Sequence, residues 1–176
     1  SGLPGSSPGA LRPGTAATWP SPPPFTALNA LSAVLKDTAI SLCAQDVHWE
    51  QEGAFTGEVS APMLLEAGCR YVLIGHSERR RWSGESNEDV NRKAKAALRA
   101  GLAPVVCVGE TLDERETEQT FSAIRRQLKE GLNNIPADDI RRAIVAYEPV
   151  WAIGTGKTAT PGQAEEVHDF IRQFLE

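Results

Sequence analysis

Four short runs of apolar residues, rich in β-branched side chains, divide the chain. They cover residues 39–44, 71–75, 103–108 and 142–147, with centres near residues 42, 73, 106 and 145. Continuous apolar runs of this length are typical of strands that a parallel sheet buries on both faces. The spacings of 31, 33 and 39 residues match a repeated strand–helix unit. The pattern therefore predicts an α/β fold with a parallel sheet.

The segments between these runs have helical periodicity and carry start and stop signals. Two starts are capping boxes, in which side chains three positions apart bind the free backbone amides of the first turn. They are Ser86 with Asp89 and Thr160 with Gln163. In chain order, the predicted helices are residues 26–35, a helix from Ser86 to a stop at Gly101, residues 113–130 with a stop at Gly131, and a helix that starts at Thr160.

The start of the chain differs in composition from the rest. Seven of the 12 prolines lie within residues 1–24, and Arg12 is the only charged residue before Lys36. Such a stretch cannot bury enough apolar surface to offset its chain entropy. We therefore expect a low-complexity tail over residues 1–22, disordered or foreign to the fold, and one folded domain over residues 23–176.

Charge and cysteine content exclude several classes of partner. The chain has 18 Lys plus Arg and 23 Asp plus Glu, a net charge of −5. This mildly acidic balance argues against nucleic acid, and no run approaches the roughly 18 apolar residues of a membrane span. The three cysteines lie far apart in apolar sequence. We expect reduced, buried thiols of an intracellular protein, and neither a metal site nor a cofactor.

Polar residues directly follow each of the four runs. Because the carboxyl ends of parallel strands meet at one edge of a sheet, these residues should share the edge where such folds carry their chemistry. Together they favour general acid–base catalysis over a set of isolated helix caps. The residues are Gln45 and Asp46, then His76, Ser77 and Glu78, then Glu110, and finally Glu148.

Two other enzyme classes match parts of this pattern. Residues 154–158 read Gly-Thr-Gly-Lys-Thr, like the end of a nucleotide-binding P-loop, but that motif requires a glycine where Trp151 stands. Judged from residue types alone, Glu110 and Glu148 could be the paired carboxylates of a glycosidase. That interpretation leaves the glycine-rich segment unexplained.

Four segments carry a resemblance to a known family. They read GAFTGE at 53–58, YVLIGHSERR at 71–80, CVGETLDERE at 107–116 and AYEPVWAIGTGKT at 146–158. In this order they resemble the triosephosphate isomerase family, from about Pro22 to Glu176. The resemblance implies a (β/α)8 TIM barrel, here about units 2 to 6. It also implies interconversion of dihydroxyacetone phosphate and glyceraldehyde 3-phosphate through an enediol.

The resemblance assigns catalytic roles to three residues. Glu148 matches the family's base, and His76 matches its neutral proton donor. His76 lies where a helix is expected to begin, and the positive end of a helix disfavours a charged ring. Glu78 matches a further acid that orients its neighbours, although a salt bridge to Arg79 or Arg80 is an equally open interpretation.

The resemblance also implies a lid that closes over the substrate. Closure would shield the enediolate, which otherwise eliminates its phosphate. Gly154 would contribute a phosphate-binding amide, the alternative being an ordinary flexible turn. The lid residues are Pro149, Val150, Trp151, Ala152, Ile153, Gly154, Thr155, Gly156, Lys157, Thr158 and Ala159.

The loop over residues 47–60 matches the family's subunit-contact segment. The resemblance implies a homodimer in which Thr56 and Gly57 contact the partner, the alternative being a loop that folds back on its own barrel. The expected partners are thus a small phosphorylated triose and a second copy of the chain. The expected location is the cytoplasm.

Two parts of the family pattern have no counterpart in the 176 residues. One is a first-strand Asn-x-Lys that grips the substrate phosphate, and the other is a Ser and Gly-Gly cradle in the last two strands. The sequence also begins at Ser1. We therefore expect a piece of an isomerase with very low activity of its own. The alternative is an inactive barrel fragment that acts as a scaffold or partner-binding module.

Overall fold

Four parallel strands form one sheet in the computed structural model, which describes residues 22–176. The strands are β1 (Leu42–Ala44), β2 (Cys69–Ile74), β3 (Ala103–Val108) and β4 (Ile144–Tyr147). They pair in chain order, and each neighbouring pair is parallel. The predicted α/β fold with a parallel sheet is confirmed. The predicted tail lies outside the described residues except for Pro22.

Eight α-helices and two short 3-10 turns connect and flank these strands within residues 22–176. The 3-10 turns are Phe25–Ala27 and Val150–Ala152. The helices are α1 (Leu28–Leu35), α2 (Ala61–Glu66), α3 (Ser77–Trp82), α4 (Asn87–Ala100), α5 (Leu112–Glu116), α6 (Thr120–Gly131), α7 (Ala137–Ile140) and α8 (Pro161–Leu175).

The predicted capping signals operate as expected. Ser86 and Asp89 exchange both hydrogen bonds of a capping box at the start of α4, and Thr160 and Gln163 do the same for α8. Gly101 ends α4 with a φ of 100°, in the left-handed region that glycine adopts without strain. Local side-chain chemistry therefore determines where these helices begin and end.

The single helix predicted over residues 113–130 is wrong. The segment forms two helices, α5 and α6, because a capping box between Thr111 and Glu114 starts α5 early and Glu118 adopts a φ of 59° between the two. Gly131 is the last residue of α6 rather than a stop beyond it.

Two strands are shorter than their apolar runs. β4 begins at Ile144 because the amides of Arg142 and Ala143 bond back to Asp139 and Ile140, which closes the turn after α7. The first run forms a strand only from Leu42 onward. An apolar run is therefore longer than its strand where the backbone amides at its start form hydrogen bonds within a turn and not with the neighbouring strand.

Alternate residues of each strand point to opposite faces of the sheet, and in β1, β2 and β3 most residues on both faces are buried, whereas all four residues of β4 are partly exposed. In β2, Val72 and Ile74 pack into the large core beneath the helices, whereas Tyr71 and Leu73 join a smaller cluster with Cys43 and Val105 on the other face. Burial on both faces explains why the strands read as continuous apolar runs. Within residues 22–176, no helix combines the length and apolar character needed to cross a bilayer.

Candidate active site

The parallel register brings the ends of β2, β3 and β4 to one edge of the sheet. Ile74 pairs with Val106, and Val108 pairs with Tyr147, so the residues that follow these strands project from the same rim. His76 and Glu148, predicted from the sequence to lie at this rim, make direct contact there.

His76 and Glu148 form a short hydrogen bond across the rim. The His76 Nε2 atom lies 2.7 Å from Glu148 Oε1, and the backbone amide of Ser77 donates to Glu148 Oε2 at 3.1 Å. On the other side of the ring, His76 Nδ1 accepts the backbone N–H of Glu78 at 3.3 Å as it caps α3. With Nδ1 an acceptor, the imidazole is neutral and Nε2 carries its proton. The ring therefore donates to the carboxylate.

The Glu148 carboxylate is held in a partly dehydrated environment, with 15% of its side chain exposed. Burial raises the pKa of Glu148 above its ordinary value of 4.5, and His76, the Ser77 amide and Arg80 offset part of that rise. Arg80 is anchored nearby, since its Nε donates to the Gly75 carbonyl at 2.7 Å. A carboxyl group with a raised pKa is a stronger base than a solvated one, which suits proton abstraction.

Glu78 touches His76 mainly through its main chain. Its carboxylate is 71% exposed and lies 3.9 Å from His76 Nδ1, beyond hydrogen-bond distance. The alternative of a salt bridge to Arg79 or Arg80 is not seen among the described residues, because Arg79 pairs with Asp46 and Glu85 instead.

Two buried charged residues, Glu85 and Lys93, bind the backbone and side chains next to this rim, and the sequence did not point to either of them. Glu85 is buried, and its Oε1 accepts the backbone N–H of Gly75 at 2.9 Å, one residue before His76. Lys93 of α4 is buried between Asp46 and Glu85, with its Nζ atom 2.7 Å and 3.1 Å from their carboxylates. The available signal was a lysine on the apolar stripe of a helix, where it needs a buried partner.

Glu110 is shielded from solvent. Its side chain is completely buried, and its Oε1 accepts hydrogen bonds from Arg115, from the Tyr147 hydroxyl at 3.0 Å and from the Trp151 indole at 2.8 Å. Burial raises the pKa of Tyr147, and the adjacent Glu110 carboxylate raises it further. Glu110 is therefore a structural anchor, and the glycosidase pairing of Glu110 with Glu148 is wrong.

The segment predicted to be a lid follows Glu148 directly. Trp151 is buried against Glu110, whereas Ile153 is exposed. Gly154 and Gly156 have φ values of 68° and 75°, and no atom beyond their chain neighbours lies within 4 Å of the Cβ position at either residue. The backbone conformation, rather than lack of space, thus calls for glycine at both positions.

The central part of the predicted subunit-contact loop, residues 50–58, is exposed to solvent, whereas Val47, His48 and Ser60 at its ends are buried. Thr56 and Gly57 are both exposed, and Gly57 has a φ of 86°. Gly57 also lines a cavity of about 620 Å³ that reaches Gln45, His76 and Glu78. This cavity is large enough for a small metabolite and gives access to the imidazole from the side of β1.

The site consists of a neutral imidazole hydrogen-bonded to a partly buried carboxylate at the C-terminal edge of a parallel sheet. This arrangement belongs to the class of acid–base sites found in α/β enzymes. The comparison with known sequences is more specific. A family model described as triosephosphate isomerase matches residues 17–176, and the chain belongs to that family.

Individual relatives agree with this assignment. The chain is 59% identical over 153 residues to triosephosphate isomerase of Citrifermentans bemidjiense, a match that covers 87% of this chain and 61% of the relative. It is 57% identical over 150 residues to that of Geotalea uraniireducens, covering 85% and 60% of the two chains. The chain therefore spans about 60% of the length of the curated relatives it matches.

A solved structure shows the same architecture. The crystal structure of triosephosphate isomerase from Bartonella henselae superposes with a TM-score of 0.77 at 41% identity, covering 86% of this chain and 61% of that one. The fold is thus a partial (β/α)8 barrel.

Proposed function

We propose that the chain carries the proton-transfer centre of a triose-phosphate isomerase, which interconverts dihydroxyacetone phosphate and glyceraldehyde 3-phosphate through an enediol. The observation that carries the proposal is the 2.7 Å contact between His76 Nε2 and Glu148 Oε1 at the rim of the sheet. Family membership supports the choice of substrate.

Glu148 is the base in this mechanism. The Glu148 carboxylate removes a proton from the carbon next to the substrate carbonyl and returns it to the former carbonyl carbon, so that no net proton is consumed. Its raised pKa favours this transfer, and its bond to the Ser77 amide orients the carboxylate. The substrate has to insert between Glu148 and His76, replacing their mutual hydrogen bond.

His76 is the proton donor to the two substrate oxygens. Its Nε2–H is free to serve them once Glu148 turns to the carbon, and the bond from the Glu78 amide to Nδ1 holds the ring in the required tautomer. Glu78 contributes to this orientation through its backbone, while its exposed carboxylate lies beside the cavity. Neither a metal nor a cofactor is required for these steps.

Residues 149–159 act as the lid, with Gly154 contributing a backbone amide to the substrate phosphate. The left-handed conformations of Gly154 and Gly156 support this role, since they free the backbone of this loop to turn its amides inward. We further propose a cytoplasmic homodimer in which Thr56 and Gly57 contact the partner. The exposure of that loop supports the dimer proposal.

The proposal is tested by hydrogen exchange rather than by turnover alone. We expect slow isomerisation, because no Asn-x-Lys precedes Asn29, where the family's first strand would supply it, and the family's Gly-Gly segment has no counterpart in the 176 residues. The chain is incubated with dihydroxyacetone phosphate in D₂O, and deuterium incorporation at the hydroxymethyl carbon is followed by NMR. Exchange above the buffer rate is expected, and Glu148→Gln should abolish it.

Glu166→Gln is the matched control, since Glu166 is an exposed carboxylate of α8 outside the cavity beside His76. It should leave the exchange rate within a factor of two. If Glu148→Gln exchanges deuterium at the same rate as the unmodified chain, Glu148 is not the base. If the unmodified chain exchanges deuterium no faster than the buffer alone, the proposed activity is refuted.

A further inference from the structure

Gln127 reaches from α6 to the end of β3 and binds the main chain of a single residue. Its Oε1 accepts the backbone N–H of Gly109 at 2.8 Å, and its Nε2 donates to the carbonyl of Gly109 at 2.9 Å. The side chain is buried among apolar residues of α6. The amide thus satisfies both polar groups of Gly109, as a neighbouring strand would within a sheet.

Gly109 in turn lies directly against the backbone of Glu148. A Cβ atom at Gly109 would stand 1.7 Å from the Glu148 carbonyl oxygen and 2.8 Å from its carbon. The Glu148 amide meanwhile donates to the Val108 carbonyl at 2.8 Å. The backbone of Glu148 is therefore held by a hydrogen bond on one side and by close approach to a glycine on the other.

We propose that Gln127 and Gly109 are positioning residues for Glu148. Gln127 fixes the Gly109 peptide, and the missing side chain of Gly109 lets the Glu148 peptide settle against it at the distance that brings the carboxylate to His76. Neither residue touches substrate. The inference rests on the proposed role of Glu148 as the base.

The physical reason lies in the geometry of proton transfer. A base displaced by about 1 Å loses roughly a hundredfold in rate. An alanine at Gly109 cannot be accommodated without moving the Glu148 carbonyl by more than this, because the contact involves main-chain atoms that no side-chain rotation relieves. Loss of the Gln127 amide removes the partner of both polar groups of Gly109 in a partly buried position, so this peptide is free to shift.

The direct test reads the hydrogen bond between His76 and Glu148 in the 176-residue chain. Its imidazole nitrogens are labelled with ¹⁵N, and the His76 signals are assigned by their loss in His76→Gln, which separates them from those of His48 and His168. The unmodified chain should show one dominant tautomer, with the proton on Nε2. The test variants are Gln127→Leu, Gln127→Glu and Gly109→Ala.

We expect Gly109→Ala and Gln127→Leu to remove the hydrogen-bonded Nε2–H signal of His76 and to shift its nitrogen resonances toward the exchange-averaged values of a free imidazole. Gln127→Glu keeps an acceptor for the Gly109 amide but places a carboxylate beside its carbonyl, so the shift should be smaller. In Gly109→Ala, the rate of Glu148-dependent deuterium exchange at saturating substrate should fall about a hundredfold, whereas KM should not change.

Two matched variants control for the substitutions themselves. Gln173→Glu makes the same chemical change at an exposed position of α8, and Gly162→Ala adds a methyl group where no atom lies within 4 Å of the Cβ position. Both should leave the His76 signals unchanged. A merely structural role for Gln127 would lower the melting temperature of the variants without moving these signals.

Unchanged His76 signals in folded Gln127→Leu and Gly109→Ala would overturn the inference. If Gly109→Ala does not fold, the near-isosteric Gln127→Glu decides, and unchanged signals there would overturn it equally. These results are separate from those for the proposed function. If deuterium exchange is absent from every variant and from the unmodified chain, the isomerase activity is refuted. The His76 NMR signals would still show whether Gln127 and Gly109 position Glu148.

Discussion

Substitution of Lys93 is the strongest test of whether buried ion pairs stabilise the rim that carries His76. The Lys93 side chain is 4% exposed, and its ammonium group lies 2.7 Å from Asp46 and 3.1 Å from Glu85. Glu85 in turn binds the backbone amide of Gly75, next to His76. We expect Lys93→Met to destabilise the chain strongly. The substitution keeps the apolar stem but leaves the buried Glu85 carboxylate and the partly buried Asp46 carboxylate with one fewer cation.

The magnitude follows from the burial of the pairs. Removing one partner of a buried ion pair costs about 3–5 kcal/mol, because the remaining charge is left uncompensated. Arg79 stays within 2.8 Å of Glu85 and 3.0 Å of Asp46, so the lower end of that range, about 3 kcal/mol, applies here. For a chain of this size, such a loss corresponds to a fall of roughly 6–12 °C in melting temperature.

The neighbouring residue on the same helix is the matched control. Arg92 pairs with Glu88 across one turn, and both side chains are more than half exposed. Its guanidinium also lies 5.5 Å from the Trp49 ring centre. Exposed contacts of these two kinds are together worth about 1–1.5 kcal/mol, so Arg92→Met should cost at least about 1.5 kcal/mol less than Lys93→Met.

Urea denaturation followed by circular dichroism measures both free energies of unfolding. The pH dependence adds a second check. Burial raises the pKa of Asp46, and Lys93 opposes that rise, so Lys93→Met should raise it further. A raised folded-state pKa favours the folded state when the carboxyl takes up its proton. The cost of Lys93→Met should therefore be largest at pH 7 and shrink as the pH falls toward 4. Equal costs for Lys93→Met and Arg92→Met at pH 7 would refute the reasoning.

Three further predictions concern the base, a helix cap and the thiols. Because burial raises the pKa of Glu148, its deuterium exchange should decline on acidification with a midpoint above pH 4.5, and a midpoint at or below 4.5 would contradict the burial argument. Ser86→Ala breaks the capping box of α4 and should cost about 1 kcal/mol in urea denaturation, whereas the exposed Ser83→Ala should cost almost nothing. Burial raises the pKa of all three thiols, Cys43 to about 12 and Cys69 to about 11, so iodoacetamide at pH 8 should modify them only after urea is added, and rapid labelling of the folded chain by mass spectrometry would count against their burial.

Sequence alone predicted the layout of the molecule well, because the relevant signals are local. The β3 run was located to the residue, and the capping boxes at Ser86 and Thr160 marked the starts of α4 and α8. Each of these signals depends on side chains within a few positions of one another. The helix over 113–130 failed for the same kind of reason, since the competing local signal at Thr111 and Glu114 was overlooked.

The sequence also identified His76 and Glu148 as rim residues, since both directly follow buried strands. Their pairing with one another was decided only by the tertiary structure, because the contact between His76 and Glu148 joins positions 148 − 76 = 72 residues apart. Glu110 stands at an equivalent place in the pattern, yet the fold buries it completely. Residue type and spacing do not separate the two glutamates, because what distinguishes them is the set of neighbours that three-dimensional packing supplies.

The same difference between what the sequence and what the tertiary structure determines is seen at Gln127, Lys93 and Gly109. The sequence determined that two polar residues fall on apolar helix faces and that a glycine follows β3. Only the folded chain shows what each one meets there: the main chain of Gly109, the carboxylates of Asp46 and Glu85, and the carbonyl of Glu148. Local propensity is set by neighbours along the chain, whereas the satisfaction of a buried polar group depends on atoms that only tertiary packing brings near.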